Sequence, residues 1–259
     1  MMKKGLKIAM ISGAIVLMGL ICFVIWGMNK EKQRLKTCEG IKVEYTDDYR
    51  FVTPEDIESY LRSDYGAYMG QRLDSVNLRK IEDILDSKSA VLKAEAYTTP
   101  DGYLNIKLRQ REPVVRFQKG EMGFYADERG FLFPLQSNYT SRVPIIDGDV
   151  PLGVTSGYKG EPKTESEKAW LEETIRMVGF IKASRTWSEN ISQMTVSANG
   201  DIVMVPRVGK EKFIFGGPDN AEDKFERIGK YYSAIVPEKG EGYYSTVNVK
   251  YDGQIVCRR

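Results

Sequence analysis

The sequence predicts an α+β protein: a single N-terminal transmembrane helix, a small β-α-α-β-β module, then a strand-rich C-terminal β domain with flanking helices. Three observations predict it. Ile8 to Met28 is an uncharged run of 21 residues. Between residues 41 and 111 the apolar spacing changes from a period of two to one of 3.6 and back. Residues 112–259 then show short alternating strands bounded by turn residues, with amphipathic helical stretches among them.

The apolar run would span roughly 31 Å at 1.5 Å per residue, against a hydrocarbon core of about 30 Å. Trp26 stands near its far end, where an amphipathic ring suits the interface. A cleaved signal peptide would explain the basic start MMKKGLK. Its apolar region would be shorter, about 7–15 residues, and would end at a small-x-small site. Here the run ends in Trp-Gly-Met-Asn-Lys. Attachment of lipid at Cys22 would need a small residue before it, and Ile21 is there. The expectation is therefore a cytoplasmic tail at 1–7, an uncleaved span at 8–28 in the bilayer and a stalk at 29–40. Lysines flank both ends of the run, so local charge does not orient it. Long domains translocate largely regardless of charge, which puts the bulk of the chain outside the cytoplasm, on the periplasmic side of the inner membrane. Ala9 and Gly13 form a small-x-x-x-small pair that could pack on another helix, but lipid-facing packing is the simpler expectation.

Net charge is +2; the tail contributes +3, residues 30–36 another +3 and the remaining chain −4. The mild basicity thus flanks the membrane and gives no basic face for nucleic acid. The three cysteines are Cys22 in the span and Cys38 and Cys257 near opposite ends of the rest, expected as free thiols. No histidine exists, which removes the commonest general base and metal ligand. Cysteine zinc sites need more than two thiols. Gly216-Gly217-Pro218 lacks the Lys-Ser/Thr of a phosphate loop. No Ser-x-x-Lys pattern has a supporting second motif, and Asp47-Asp48 and Glu172-Glu173 are adjacent, so they do not face each other on one element. The expectation is no enzyme, no cofactor, no metal and no small-molecule substrate.

Within 41–111, Ile41, Val43 and Tyr45 alternate with polar residues as a strand would. Thr53-Pro54-Glu55-Asp56 reads as a helix start with a capping acid, with Ile57 and Leu61 on the apolar face. A second helix is expected after Asp74, taken as its cap, with Leu78, Ile81 and Leu85 facing the core. Ala90–Tyr97 and residues 103–110 form a hairpin across Thr99-Pro100-Asp101-Gly102.

Beyond Arg111-Glu112-Pro113, strands are expected at Val114–Phe117, Phe124-Tyr125, Phe131–Phe133 and Val143–Gly148, followed by a loop at 149–163. Thr164-x-x-Glu167 is a capping box opening a helix with Leu171, Ile175, Val178 and Ile181 on one face. Ile191–Ser197 and Asp201–Val205 pair across Asn199-Gly200. A strand at Lys212–Phe215 and a helix with Phe225, Ile228, Tyr232 and Ile235 follow. The last two strands, Tyr243–Tyr251 and Gln254–Arg259, meet at Asp252-Gly253.

These motifs resemble the bacterial cell-division FtsQ (DivIB) family. The resemblance rests on the POTRA order β-α-α-β-β after a short anchor, on LRQREPVVRF at Leu108–Phe117, and on FYADERGFLFPL and VPIIDG. It rests also on FGGPDNAEDKFERI and TVNVKYDGQIVCR. Two departures are Asn248, where the family usually has Asp, and Lys250, where it usually has Arg. The resemblance implies a POTRA-like module at 41–111 and a C-terminal β domain at 112–259. It implies a membrane scaffold of the divisome at the septum, docking FtsB-like and FtsL-like partners. It carries partner binding to Tyr244, Thr246, Lys250, Tyr251, Gln254, Ile255, Val256 and Cys257. Independently of it, a last strand is expected at a sheet edge, where unpaired N–H and C=O groups invite a partner strand. Another POTRA-bearing export or assembly factor is the alternative, and an anchored enzyme or sensor a third.

Overall fold

The structure is a computed structural model that describes residues 15–28 and 36–259. Residues 15–28 form helix α1. At 1.5 Å per residue this described stretch is about 21 Å long. Among the described residues no helix is long and apolar enough to cross a membrane. The span expected at 8–28 is therefore not seen as such. Its first seven residues, the tail at 1–7, the Ala9–Gly13 pair and most of the stalk lie outside the described residues.

From residue 36 the chain divides into two compact units, one ending at Gln110 and the other running from Arg111 to Arg259. Tyr49–Phe51 is assigned to the second.

The first unit has a three-stranded sheet in the order β1-β3-β2. β1 (Gly40–Tyr45) runs parallel to β3 (Tyr103–Gln110), and β2 (Val91–Thr98) runs antiparallel to it. Helix α2 (Pro54–Tyr60) starts at the Thr53/Asp56 capping box, both halves of which form. It continues into a π-helical turn at Leu61–Tyr65, and both Ile57 and Leu61 are buried. Helix α3 (Leu78–Asp86) is capped by Asn77 and not by Asp74. Asp74 lies in a 3-10 turn, Leu73–Ser75, where its carboxylate is held by Arg72 at 2.7 Å. Ile81 and Leu85 are fully buried, whereas Leu78, at the first turn, is half-buried. The inward side chains Leu104, Ile106 and Leu108 of β3 complete the core.

The second unit has a nine-stranded sheet in the order β12-β11-β10-β9-β8-β7-β4-β5-β6. These are β4 (Pro113–Lys119), β5 (Met122–Asp127), β6 (Leu132–Pro134), β7 (Ile145–Gly148), β8 (Ile191–Val196), β9 (Ile202–Pro206), β10 (Lys212–Gly216), β11 (Thr246–Asn248) and β12 (Val256–Arg258). Phe117, Ile146, Met194, Met204, Phe213 and Val247 turn one sheet face toward the helices. That face is covered by α4 (Glu165–Ala183) and α6 (Ala221–Lys230), whose Leu171, Val178, Phe225 and Ile228 share its core. The Thr164/Glu167 capping box starts α4 as the sequence predicts. A short helix α5 (Arg185–Asn190), capped by Ser184, was not expected; it has no apolar period and no buried residue. α6 passes into a π-helical turn at Tyr231–Ile235, then a short α7 (Val236–Lys239). Tyr231, three residues after Ile228, is fully buried, while Tyr232 and Ile235, which the helical spacing pointed to, are partly buried against the same core.

Two outcomes are expected for the first unit. Leu85→Asp should unfold it, because a charge would be buried without a partner at a cost of several kcal/mol; a melting curve like the parent's would place Leu85 off the core. Hydrogen bonds from Lys42 (2.6 Å) and Thr99 hold the Asp101 carboxyl down at about 2. A depressed carboxyl lends stability above its unfolded pKa, and that stability is lost as pH falls through about 2. An NMR titration should show this value, and Lys42→Ala should move it back toward 3.8.

Candidate functional site

The site is the hairpin of β11 and β12, at one end of the nine-stranded sheet. Its strands are shorter than the sequence suggests: three residues each, against the expected Tyr243–Tyr251 and Gln254–Arg259. The ladder stops at Asn248 because its side-chain Oδ1 accepts the Lys250 N–H at 3.0 Å, bending the chain away from extended pairing. The reversal itself falls where predicted. The Gln254 N–H donates to the Tyr251 carbonyl, and Gly253 takes φ +66°.

Which backbone groups are free follows from the alternation of a strand. The Lys212 N–H donates to the Ser245 carbonyl (2.9 Å), and the Val249 N–H to the Ile214 carbonyl (3.0 Å). The odd-numbered residues of β11 thus bond to β10, and Thr246 and Asn248 bond to β12. Their register partners are Arg258 and Val256. The Ser245 N–H also reaches the Arg258 carbonyl at 2.9 Å. Val256 and Arg258 therefore spend their backbone groups on β11. The N–H and C=O of Cys257, between them, point to the outer side, where no described strand pairs.

Side chains alternate too. Ile255 and Cys257 pack on the core, as does Tyr244 before β11. Val256, 38% exposed, lies on the opposite face. Tyr251 (51%) and Gln254 are exposed at the turn, and Thr246 is half-buried. Lys250 is tied down: its Nζ sits 3.0 Å from Asp201 Oδ2, and this bond raises its pKa. The eight predicted residues thus share one hairpin, but only Tyr251, Gln254 and Val256 offer much side-chain surface. Burial pushes the Cys257 thiol pKa up, which keeps it protonated near neutral pH and a poor nucleophile. Cys38 is buried as well, with its Sγ 3.6 Å from the Gly40 carbonyl, and all three cysteines are free.

Two supports were missed in the sequence. Arg227 of α6, 8% exposed, donates from Nε to the Val249 carbonyl at 3.0 Å, and its Nη2 lies 3.9 Å from Asp252 Oδ1. It holds the base of the hairpin to the helix layer. Lys224, one turn earlier and 3% exposed, gives its Nζ to the carbonyls of Gly217 (2.9 Å) and Asp219 (2.6 Å). That fixes the loop between β10 and α6. Gly216, at φ +80°, lets the backbone pass Lys250; a Cβ there would come within 2.6 Å of the Lys250 Cβ.

The described residues thus combine a compact β-α-α-β-β module with a nine-stranded sheet whose one face carries α4 and α6. A family model described as "FtsQ/DivIB, C-terminal related" matches residues 112–258, and one for the POTRA-like domain matches residues 36–109. The first covers more than half of the chain, and the chain belongs to the FtsQ/DivIB family. That family comprises non-enzymatic scaffolds of the division machinery. No curated protein matches the chain.

Arg227→Met should leave the buried Val249 carbonyl without its donor and lower the unfolding free energy by about 1–3 kcal/mol. Urea denaturation measures this, and a change under a few tenths would mean that the hairpin does not lean on Arg227.

Proposed function

We propose that this chain is a membrane-anchored scaffold of the bacterial divisome that captures partner proteins by strand addition to β12. The observation that carries this is the outward backbone of Cys257 at an end of the sheet where no described strand pairs. A partner strand would take its affinity from backbone bonds and its selectivity from exposed neighbours such as Tyr251, Gln254 and Val256. Lys250 then acts through its bond to Asp201, shaping the turn, and not as a free contact. Partners resembling FtsB and FtsL are the ones the family suggests. Residues 8–28 would anchor the chain in the inner membrane, with the tail cytoplasmic and both units periplasmic at the septum. The anchor limits diffusion to two dimensions, and the POTRA-like unit serves as a second docking module.

The experiment separates edge from fold. Val256→Pro would remove a bond to β11 and damage the hairpin itself. Cys257→Pro removes the outward donor and a partly buried side chain but no bond to β11, and Cys257→Ser keeps the backbone. Cys257→Pro should abolish pull-down of FtsB-like and FtsL-like partners from membranes while melting within a few degrees of the parent. Cys257→Ser should capture normally. Normal capture by Cys257→Pro, or by a chain lacking residues 254–259, would remove β12 from the mechanism. A reporter fused at Arg259 that is active only in the cytoplasm would overturn the topology.

A further inference from the structure

The first unit's sheet treats its β2 edge quite differently. The Thr99 N–H donates to the Tyr103 carbonyl in the β2–β3 hairpin, so odd-numbered residues of β2 bond to β3. The N–H groups of Ala94 and Ala96 therefore face outward. Each already has an acceptor from helix α3: Asp86 Oδ1 takes the Ala94 N–H at 2.7 Å, and Glu82 Oε1 takes the Ala96 N–H at 2.8 Å.

The spacing explains why one helix can do this. Glu82 and Asp86 are four residues apart, about 6 Å along a helix axis. Ala94 and Ala96 are two apart, about 6.8 Å along a strand. The helix runs against the strand, so the two carboxylates meet two successive outward amides as a neighbouring strand would. Both bonds are charge-assisted, stronger than a neutral pair. Like charges at i, i+4 cost a helix a few tenths of a kcal/mol. Lys93 Nζ, 2.5 Å from Asp86 Oδ2, offsets part of this repulsion.

We propose that Glu82 and Asp86 form an edge lock, a two-carboxylate strand mimic that keeps β2 from pairing with a second copy of itself. The copy is the fitting occupant because of register. Two β2 strands paired antiparallel about Ala94 exchange the outward Ala94 bonds and set Lys93 of each opposite Glu95 of the other. Lys93 and Glu95 are both exposed on the sheet face away from the helices, so the opposite charges would meet across the new ladder. Any strand entering at β2 must first displace both carboxylates. The inference concerns the first unit alone and stands or falls apart from docking at β12.

Residue-resolved amide hydrogen exchange on the full chain in detergent tests the lock, with sedimentation to read mass. Glu82→Ala should speed exchange at Ala96 by about two- to tenfold and leave Ala94 unchanged. Asp86→Ala should do the reverse, and the Lys93, Glu95 and Tyr97 amides should keep their rates in both. Glu82→Gln, which retains an acceptor oxygen, should stay near the parent. The double variant E82A/D86A should dimerise with rising concentration, and adding Lys93→Glu should return it to monomer. Unchanged exchange in the single variants, or an equal rise at every β2 amide, would overturn the lock. A double variant that stays monomeric, or a dimer indifferent to Lys93→Glu, would overturn the second copy as occupant. Should the double variant fail to fold, the two single variants decide the lock by their exchange patterns.

Discussion

An open β-sheet leaves its outermost strands with backbone donors and acceptors that have no ladder partner, and the treatment of those edges governs the rest of this structure. Burial of apolar side chains assembles each sheet, but it does not say which strand stays available. That is decided by what lies against each edge. At β6 the Leu132 N–H and C=O both bond to Gly160 of the following loop, at 2.8 and 3.0 Å. At β2 the carboxylates of Glu82 and Asp86 take the outward amides. β12 has neither device among the described residues.

An exposed edge serves as a docking site only if it is held in shape without its partner. The β11–β12 ladder is three residues long and could not do this alone. Arg227 fixes Val249 from the helix layer, Lys250 reaches back to Asp201 on the β8–β9 connection, and Ile255 and Cys257 pack on the core. Three elements of the unit therefore converge on the hairpin and hold the edge in shape within the chain itself. Preorganisation of this kind lowers the ordering cost of binding. The same supports explain why side-chain chemistry at the hairpin is muted, with its cation tied down and its thiol held protonated.

Local chemistry made much of this legible in the sequence. Thr53 with Asp56, Thr164 with Glu167, and Asn199-Gly200 each specify a cap or turn within four residues, and each forms as expected. The alternation of Leu104, Ile106 and Leu108 fixed a buried strand face for the same reason. The misses come from competition that no short window displays. Asp74 and Asn77 are both competent caps, and Arg72 draws the first into a 3-10 turn. α5 is too short to carry a period. β11 ends early because Asn248 turns its side chain on the backbone, an option equally open to an asparagine in a loop. Arg227 looked like a surface cation because its acceptor, the Val249 carbonyl, lies 22 positions away. The hairpin residues were found together, yet their burial was not, since the face each presents depends on a register set by β10.

Amide exchange at Cys257, with and without bound partner, tests the central claim most directly. In the free chain the Val256 and Arg258 amides should be protected by β11, and the Cys257 amide should exchange as an exposed one. Partner binding should protect Cys257 and leave its two neighbours as they were. A Cys257 amide already protected in the free chain, or still unprotected in the complex, would contradict docking by strand addition at β12.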